Sequence, residues 1–165
     1  MEKNLNARSE DTFFLERGYV YFSKSPTKIQ TVLGTCVAVC LWDKKQKFGG
    51  MNHFMHPVAK ESSKATPIFG NAAMTALLRI MEKAGSRTAD IIAQIFGGGQ
   101  PDKDSENELG QKNINIARTF LNNKGIKIVS EDVGGSLGRK IIFDTGSGHV
   151  AVLKVDNIRQ SDWHY

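Results

Sequence analysis

Apolar and polar positions along the chain fall into short runs of two periods. Cys36-Val37-Ala38-Val39-Cys40-Leu41-Trp42 is an unbroken apolar run of strand length. A second run from Phe48 to Met55 follows the polar segment Asp43-Lys44-Lys45-Gln46-Lys47, and together they read as a β-hairpin. With Asp43 to Gln46 as a four-residue loop, Trp42 pairs with Lys47, and counting outward sets Cys36 opposite His53. The same count sets Cys40 opposite Gly50 or Gly49.

Helical spacing appears twice. Ala72, Met74, Leu77, Leu78 and Met81 predict a helix capped by Asn71 and stopped by Gly85. Leu109, Ile114, Ile116, Ala117, Phe120 and Leu121 predict another, ending at Asn122-Asn123-Lys124-Gly125. Strands are expected over Gly18 to Phe22, Lys28 to Leu33, Ile91 to Phe96, Ile126 to Val129, Arg139 to Phe143 and His149 to Val155. Ser62 to Pro67 and the charged segment Asp102 to Glu108 read as loops.

This alternation predicts an α/β fold: a single-domain layered sandwich of mixed, largely antiparallel β-structure flanked by two main helices. Neither a repeat nor a low-complexity linker divides the chain. One domain over residues 1–165 is expected, with its core at about 15–155 and ragged ends near 1–10 and 157–165.

Composition adds bounds. The 165 residues are 40% hydrophobic, enough for one real core. No stretch approaches the ~18 apolar residues of a membrane span, and the polar N-terminus lacks a signal-peptide core, so a cytoplasmic protein without direct membrane insertion is expected. A net charge of +5 and a pI near 9.2 favour an acidic partner surface. The basic residues are scattered and no nucleic-acid-binding signature accompanies them, so nucleic acid is not an expected partner. Cys36 and Cys40 are the only cysteines; four residues along a strand separates them by roughly 13 Å, beyond disulfide reach.

Candidate chemistry centres on Cys36 and His53. Directly opposed strand residues share a face with Cβ atoms about 5 Å apart, and an imidazole there can take a thiol proton. The competing reading is a small core cysteine beside a hydrogen-bonded histidine; a one-residue slip in register would part the two side chains. Cys40 reads as packing. His53 and His56 would point to opposite strand faces, so no metal site is expected, and the glycine runs at Gly97 and Gly134 match no phosphate-loop or dinucleotide fingerprint, so no nucleotide cofactor is expected. Gly97-Gly98-Gly99 forms a tight turn or lets a substrate backbone approach.

The residues also resemble the CheD family, the chemoreceptor glutamine deamidases of bacterial chemotaxis, over about residues 15 to 155. The matching stretches are Leu33 to Val39 (LGTCVAV), Gly49 to Pro57 (GGMNHFMHP), Phe96 to Gly99, Gly110 to Asn113 and Asp132 to Arg139 (DVGGSLGR). The resemblance implies Cys36 as nucleophile, His53 as base, and a threonine on the preceding strand as the third residue. Thr31 lies five positions before Cys36 and Gln30 six, so a family spacing of six requires a one-residue gap to reach Thr31. Thr35 and His56 stand where the family usually has Ser and Leu.

The implied reaction converts receptor glutamines to glutamates through a thioester on Cys36, with the Cys36 backbone N–H as first oxyanion donor. Implied partners are chemoreceptor cytoplasmic helices and a CheC-type phosphatase. The alternatives are a non-catalytic chemotaxis adaptor, which would tolerate Cys36→Ala, and more distantly a cysteine peptidase. Loops near Lys60, Gly97 and Gly135 are expected to border the thiol.

Overall fold

The structure is a computed structural model that describes residues 11–101 and 108–158. Residues 1–10 and 159–165, where ragged ends were expected, and most of the charged loop, residues 102–107, lie outside the described residues.

Among the described residues, nine strands form two sheets. The first holds β1 (Asp11–Phe14), β3 (Thr27–Leu33), β8 (Gly138–Asp144) and β9 (Val150–Val155), in the order β1-β3-β8-β9. The second holds β2 (Val20–Ser23), β4 (Val37–Asp43), β5 (Phe48–Phe54), β6 (Ile91–Gly97) and β7 (Lys127–Val133), in the order β2-β5-β4-β6-β7. Helices α1 (Gly70–Lys83) and α2 (Leu109–Asn123) cover the outer face of the second sheet. The α/β layered sandwich is as expected; β1–β3 and β6–β7 are the parallel pairs in an otherwise antiparallel set.

The layers explain the apolar pattern. β4 is buried at every position because helices cover one face and the other sheet covers the other. Val37, Val39 and Leu41 join Met74, Leu77, Met81 and Ile114 in the helix-side core. Ala38, Cys40 and Trp42 face Ile29, Leu33, Ile141 and Phe143 in the sheet-side core.

Several local expectations are corrected. The hairpin loop is Lys44 to Lys47, not Asp43 to Gln46: Asp43 pairs with Phe48, Trp42 with Gly49, Cys40 with Met51 and Ala38 with His53. The Asp43 side chain closes the turn itself, its Oδ1 accepting from the backbone N–H of Lys45 and Gln46. The ladder therefore shifts by two residues from the expected one. Because strand side chains alternate with period two, a two-residue shift preserves the face, and Cys36 and His53 stay on the same side without being directly opposed.

Asn71 is not the cap of α1, which begins at Gly70 after Phe69, and no side chain caps it. β7 extends to Val133, beyond the expected Val129, because it pairs in parallel with β6. β1 was unforeseen; its four largely exposed residues carry little periodicity.

Candidate active site

Cys36 lies one residue before β4, at the end of the Gly34-Thr35 turn, and is half-buried. Its side chain packs on the sheet-side core. Three hydrogen bonds from two segments distant in sequence hold this turn. The Gly98 N–H donates to the Cys36 carbonyl (2.8 Å), the Gly99 N–H to the Gly34 carbonyl (2.9 Å), and Asn113 Nδ2 of α2 to the Thr35 carbonyl (3.1 Å). Gly97 is required for this close approach: its φ is 102°, and a Cβ there would run into the Cys36 carbonyl. The glycine run thus lies against the cysteine turn, neither a free-standing tight turn nor an open lining for a substrate backbone.

His53 sits near the end of β5 and is fully buried. Its Nδ1 is 2.8 Å from Thr31 Oγ1 on β3 of the opposite sheet. The Thr31 hydroxyl also donates to the Leu15 carbonyl at 2.8 Å. A hydroxyl has one proton, and a carbonyl can only accept, so that proton belongs to Leu15 and Thr31 Oγ1 accepts from His53. The imidazole is therefore the Nδ1–H tautomer, with a lone pair on Nε2. Nε2 is buried with no hydrogen-bond partner among the described residues. The histidine backbone is fixed as well, its carbonyl accepting from Gly18 N–H (2.7 Å) and its N–H donating to Tyr19 (3.2 Å).

Burial raises the Cys36 thiol above its ordinary value, opposed by the positive charge of Arg17 and by its own backbone N–H. Burial, and after it the Arg17 charge, lowers His53 from 6.5 to about 3. Both groups thus favour their neutral forms at physiological pH, a thiol on one side and an imidazole with a free lone pair on the other. Cys40, fully sealed, is pushed far up by burial alone, which keeps it a thiol.

Of the residues singled out from sequence, Thr31 and His53 meet directly, and Cys36 shares their inter-sheet layer and the field of Arg17. His56 departs from them: it is exposed beyond β5, its ring centroid 5.8 Å from that of Phe69. A cleft of about 600 Å³ opens there, lined by His56, Lys60, Phe69, Leu109 and Lys112 among others. Gly135 belongs to a neighbouring turn whose carbonyl accepts from the Gln100 N–H (2.8 Å).

Sequence reasoning missed Arg17, Asn113 and the Leu15 carbonyl. Asn113 stood inside a quoted motif, but nothing in its spacing tied it to Thr35. Arg139, read as one of the scattered basic residues, is buried and holds Asp132 and the Gly134 and Leu137 carbonyls.

Comparison with known proteins identifies the lineage. A family model described as CheD chemotactic sensory transduction matches residues 55–154. A "Probable chemoreceptor glutamine deamidase CheD" of Sulfurimonas denitrificans is 41% identical over 145 residues, covering 86% of this chain and 93% of its own. The chain belongs to the CheD family. A CheD relative of the same description from Trichlorobacter lovleyi is 41% identical over 140 residues, covering 84% of this chain and 87% of its own. A third, from Methanococcus vannielii, is 34% identical over 148 residues, covering 88% and 96%. Spans of that length include both Cys36 and His53 wherever they begin.

Proposed function

We propose that the protein is a cytoplasmic protein-glutamine deamidase that converts glutamine side chains of chemoreceptor helices to glutamate, with Cys36 as nucleophile, His53 as base and Thr31 as its orienting partner. Support comes from the names of the relatives together with one geometric observation. The Leu15–Thr31–His53 chain leaves the Nε2 lone pair bare in the layer that Cys36 faces.

The reaction begins from the neutral pair. As Sγ attacks the carboxamide carbon, the thiol proton passes to His53 Nε2, the new S–C bond forms, and the carbonyl electron pair moves to oxygen. The Cys36 backbone N–H meets that oxyanion. Collapse breaks the C–N bond, and the imidazolium returns its proton to the departing ammonia. Water then attacks the thioester, giving one proton to Nε2; the S–C bond breaks, glutamate leaves and the thiol is restored. Thr31 holds the Nδ1 proton throughout, the orienting role that a carboxylate or amide plays in other triads. Because burial disfavours an ion pair at rest, the thiolate arises during attack and is not stored.

The basic charge of the chain suits an acidic helical substrate, and a CheC-type phosphatase is a candidate regulator. The second reading, a non-catalytic adaptor, is favoured by one observation: His53 is wholly buried and the Cys36 thiol is pushed up, not down. The deciding experiment is peptide mass spectrometry of a receptor cytoplasmic fragment incubated with wild type or Cys36→Ala. A gain of ~1 Da at particular glutamines with wild type alone supports the enzyme. An unchanged receptor from the same organism, with the thiol reduced, moves the reading to the adaptor.

A further inference from the structure

Asn113 is wholly buried on α2, and its amide nitrogen donates to two carbonyls, Thr35 at 3.1 Å and Met55 at 3.0 Å. Those carbonyls belong to the two segments that matter most. Thr35 immediately precedes Cys36, and Met55 lies two residues beyond His53. Since both partners can only accept, the NH₂ end must face them, and Oδ1 points away without a hydrogen-bond partner among the described residues.

A trans peptide is planar, so the Cys36 N–H points opposite to the Thr35 carbonyl to which it is bonded. Holding the carbonyl toward α2 therefore aims the N–H away from α2. The next peptide plane is held too, because the Cys36 carbonyl accepts from the Gly98 N–H at 2.8 Å. The seat of α2 is itself close: a Cβ on Gly110 would run into the Gly98 carbonyl. Both planes flanking the cysteine Cα are thus clamped from outside.

We propose that Asn113 is a positioning residue for acyl transfer: it holds the Thr35–Cys36 peptide so that the Cys36 N–H meets the oxyanion formed when Sγ attacks a carbonyl carbon. This rests on the reading of Cys36 as nucleophile. In that step the S–C bond forms, the C=O π pair moves to oxygen and the thiol proton goes to His53 Nε2. No bond of Asn113 is made or broken.

The test contrasts two reactions of the same thiol. Alkylation by iodoacetamide passes through no oxyanion, whereas acylation by p-nitrophenyl acetate does. Wild type, Asn113→Ala and Asn113→Ser are compared as full-length proteins, with Cys36→Ala as the blank. Readouts are intact mass, nitrophenolate release and melting temperature. The expected result is an acylation rate about tenfold or more lower in Asn113→Ala, with alkylation changed by less than about twofold. Asn113→Ser, which keeps one donor, falls between, and it decides by the same ratio if the alanine variant does not fold. A parallel fall of both rates, or unchanged acylation in a folded variant, overturns the proposal. A wild type that alkylates but does not acylate overturns both this and the nucleophile reading. A wild type that acylates with the expected Asn113 dependence, yet leaves receptor glutamines intact, overturns only the substrate.

Discussion

The two ends of the sandwich are built on different principles. At the end away from the site, an aspartate closes each hairpin turn from within, and Thr27, Trp42 and Gln94 add bonds to the second turn from other strands. Asp43 Oδ1 accepts from Lys45 and Gln46, and Asp144 Oδ1 accepts from Gly146 (2.9 Å) and Ser147 (3.3 Å). At the site end, turns remote in sequence close one another. Gly98 and Gly99 hold the Cys36 turn, Gly134 N–H donates to the Gly97 carbonyl, and Gly135 accepts from Gln100. The lesson is that one end can change without the other. The far turns each carry an aspartate that bonds within its own loop, whereas the cysteine turn is held by bonds from other segments.

The two cysteines carry the same contrast along a single run. Cys40 is sealed between sheets, whereas Cys36 sits in the turn that the remote segments clamp. Under the enzyme reading, Cys36→Ala lowers receptor deamidation by at least about 10⁴-fold while leaving the melting temperature nearly unchanged. Cys40→Ala leaves activity in place and lowers stability by about 1 kcal/mol through the lost sulfur. Equal losses of activity in the two variants would erase the distinction.

Next in size is Thr31→Val, which removes the acceptor for His53 Nδ1–H and leaves the Leu15 carbonyl unpartnered. Deamidation is expected to fall roughly 10²-fold, with Thr31→Ser retaining most of it. A valine variant as active as wild type would detach Thr31 from the machinery.

The ends themselves are compared by Gly97→Ala and Asp144→Ala. The first forces a Cβ against the Cys36 carbonyl at positive φ, so denaturant melts should show a loss of about 2–4 kcal/mol accompanied by lost activity. The second opens one local turn, for about 1 kcal/mol, with activity within about twofold of wild type. A loss of activity in Asp144→Ala without unfolding would show that the ends communicate.

Protonation distinguishes them further. His53 has its pKa lowered from 6.5 to about 3, so it contributes stability above pH 6.5 that is lost as pH falls toward 3. The wild-type melting temperature should decline across that window, and His53→Gln should flatten the decline. The smallest expected effect is that of Arg17→Gln. Removing a charge that favours the thiolate should move the pH midpoint of Cys36 alkylation upward, by well under tenfold in rate at fixed pH. A downward shift would contradict the sign of its influence.

The sequence by itself determined the strand and helix runs, because hydrophobic periodicity is a local property. It also placed Cys36 and His53 on one face: the hairpin ladder was misplaced by two residues, and period-two alternation made that error harmless to the face. Thr31 was legible only through the family resemblance; its hydroxyl stands 2.8 Å from Nδ1 of His53. The layering of the sheets, the tautomer of His53, the field of Arg17 and the clamp of Asn113 were decided by tertiary structure alone. Each depends on atoms from segments far apart in the chain, as with Thr31 and Leu15 or Asn113 and Thr35. No local pattern encodes which carbonyl will stand within 3 Å of which donor once the layers close.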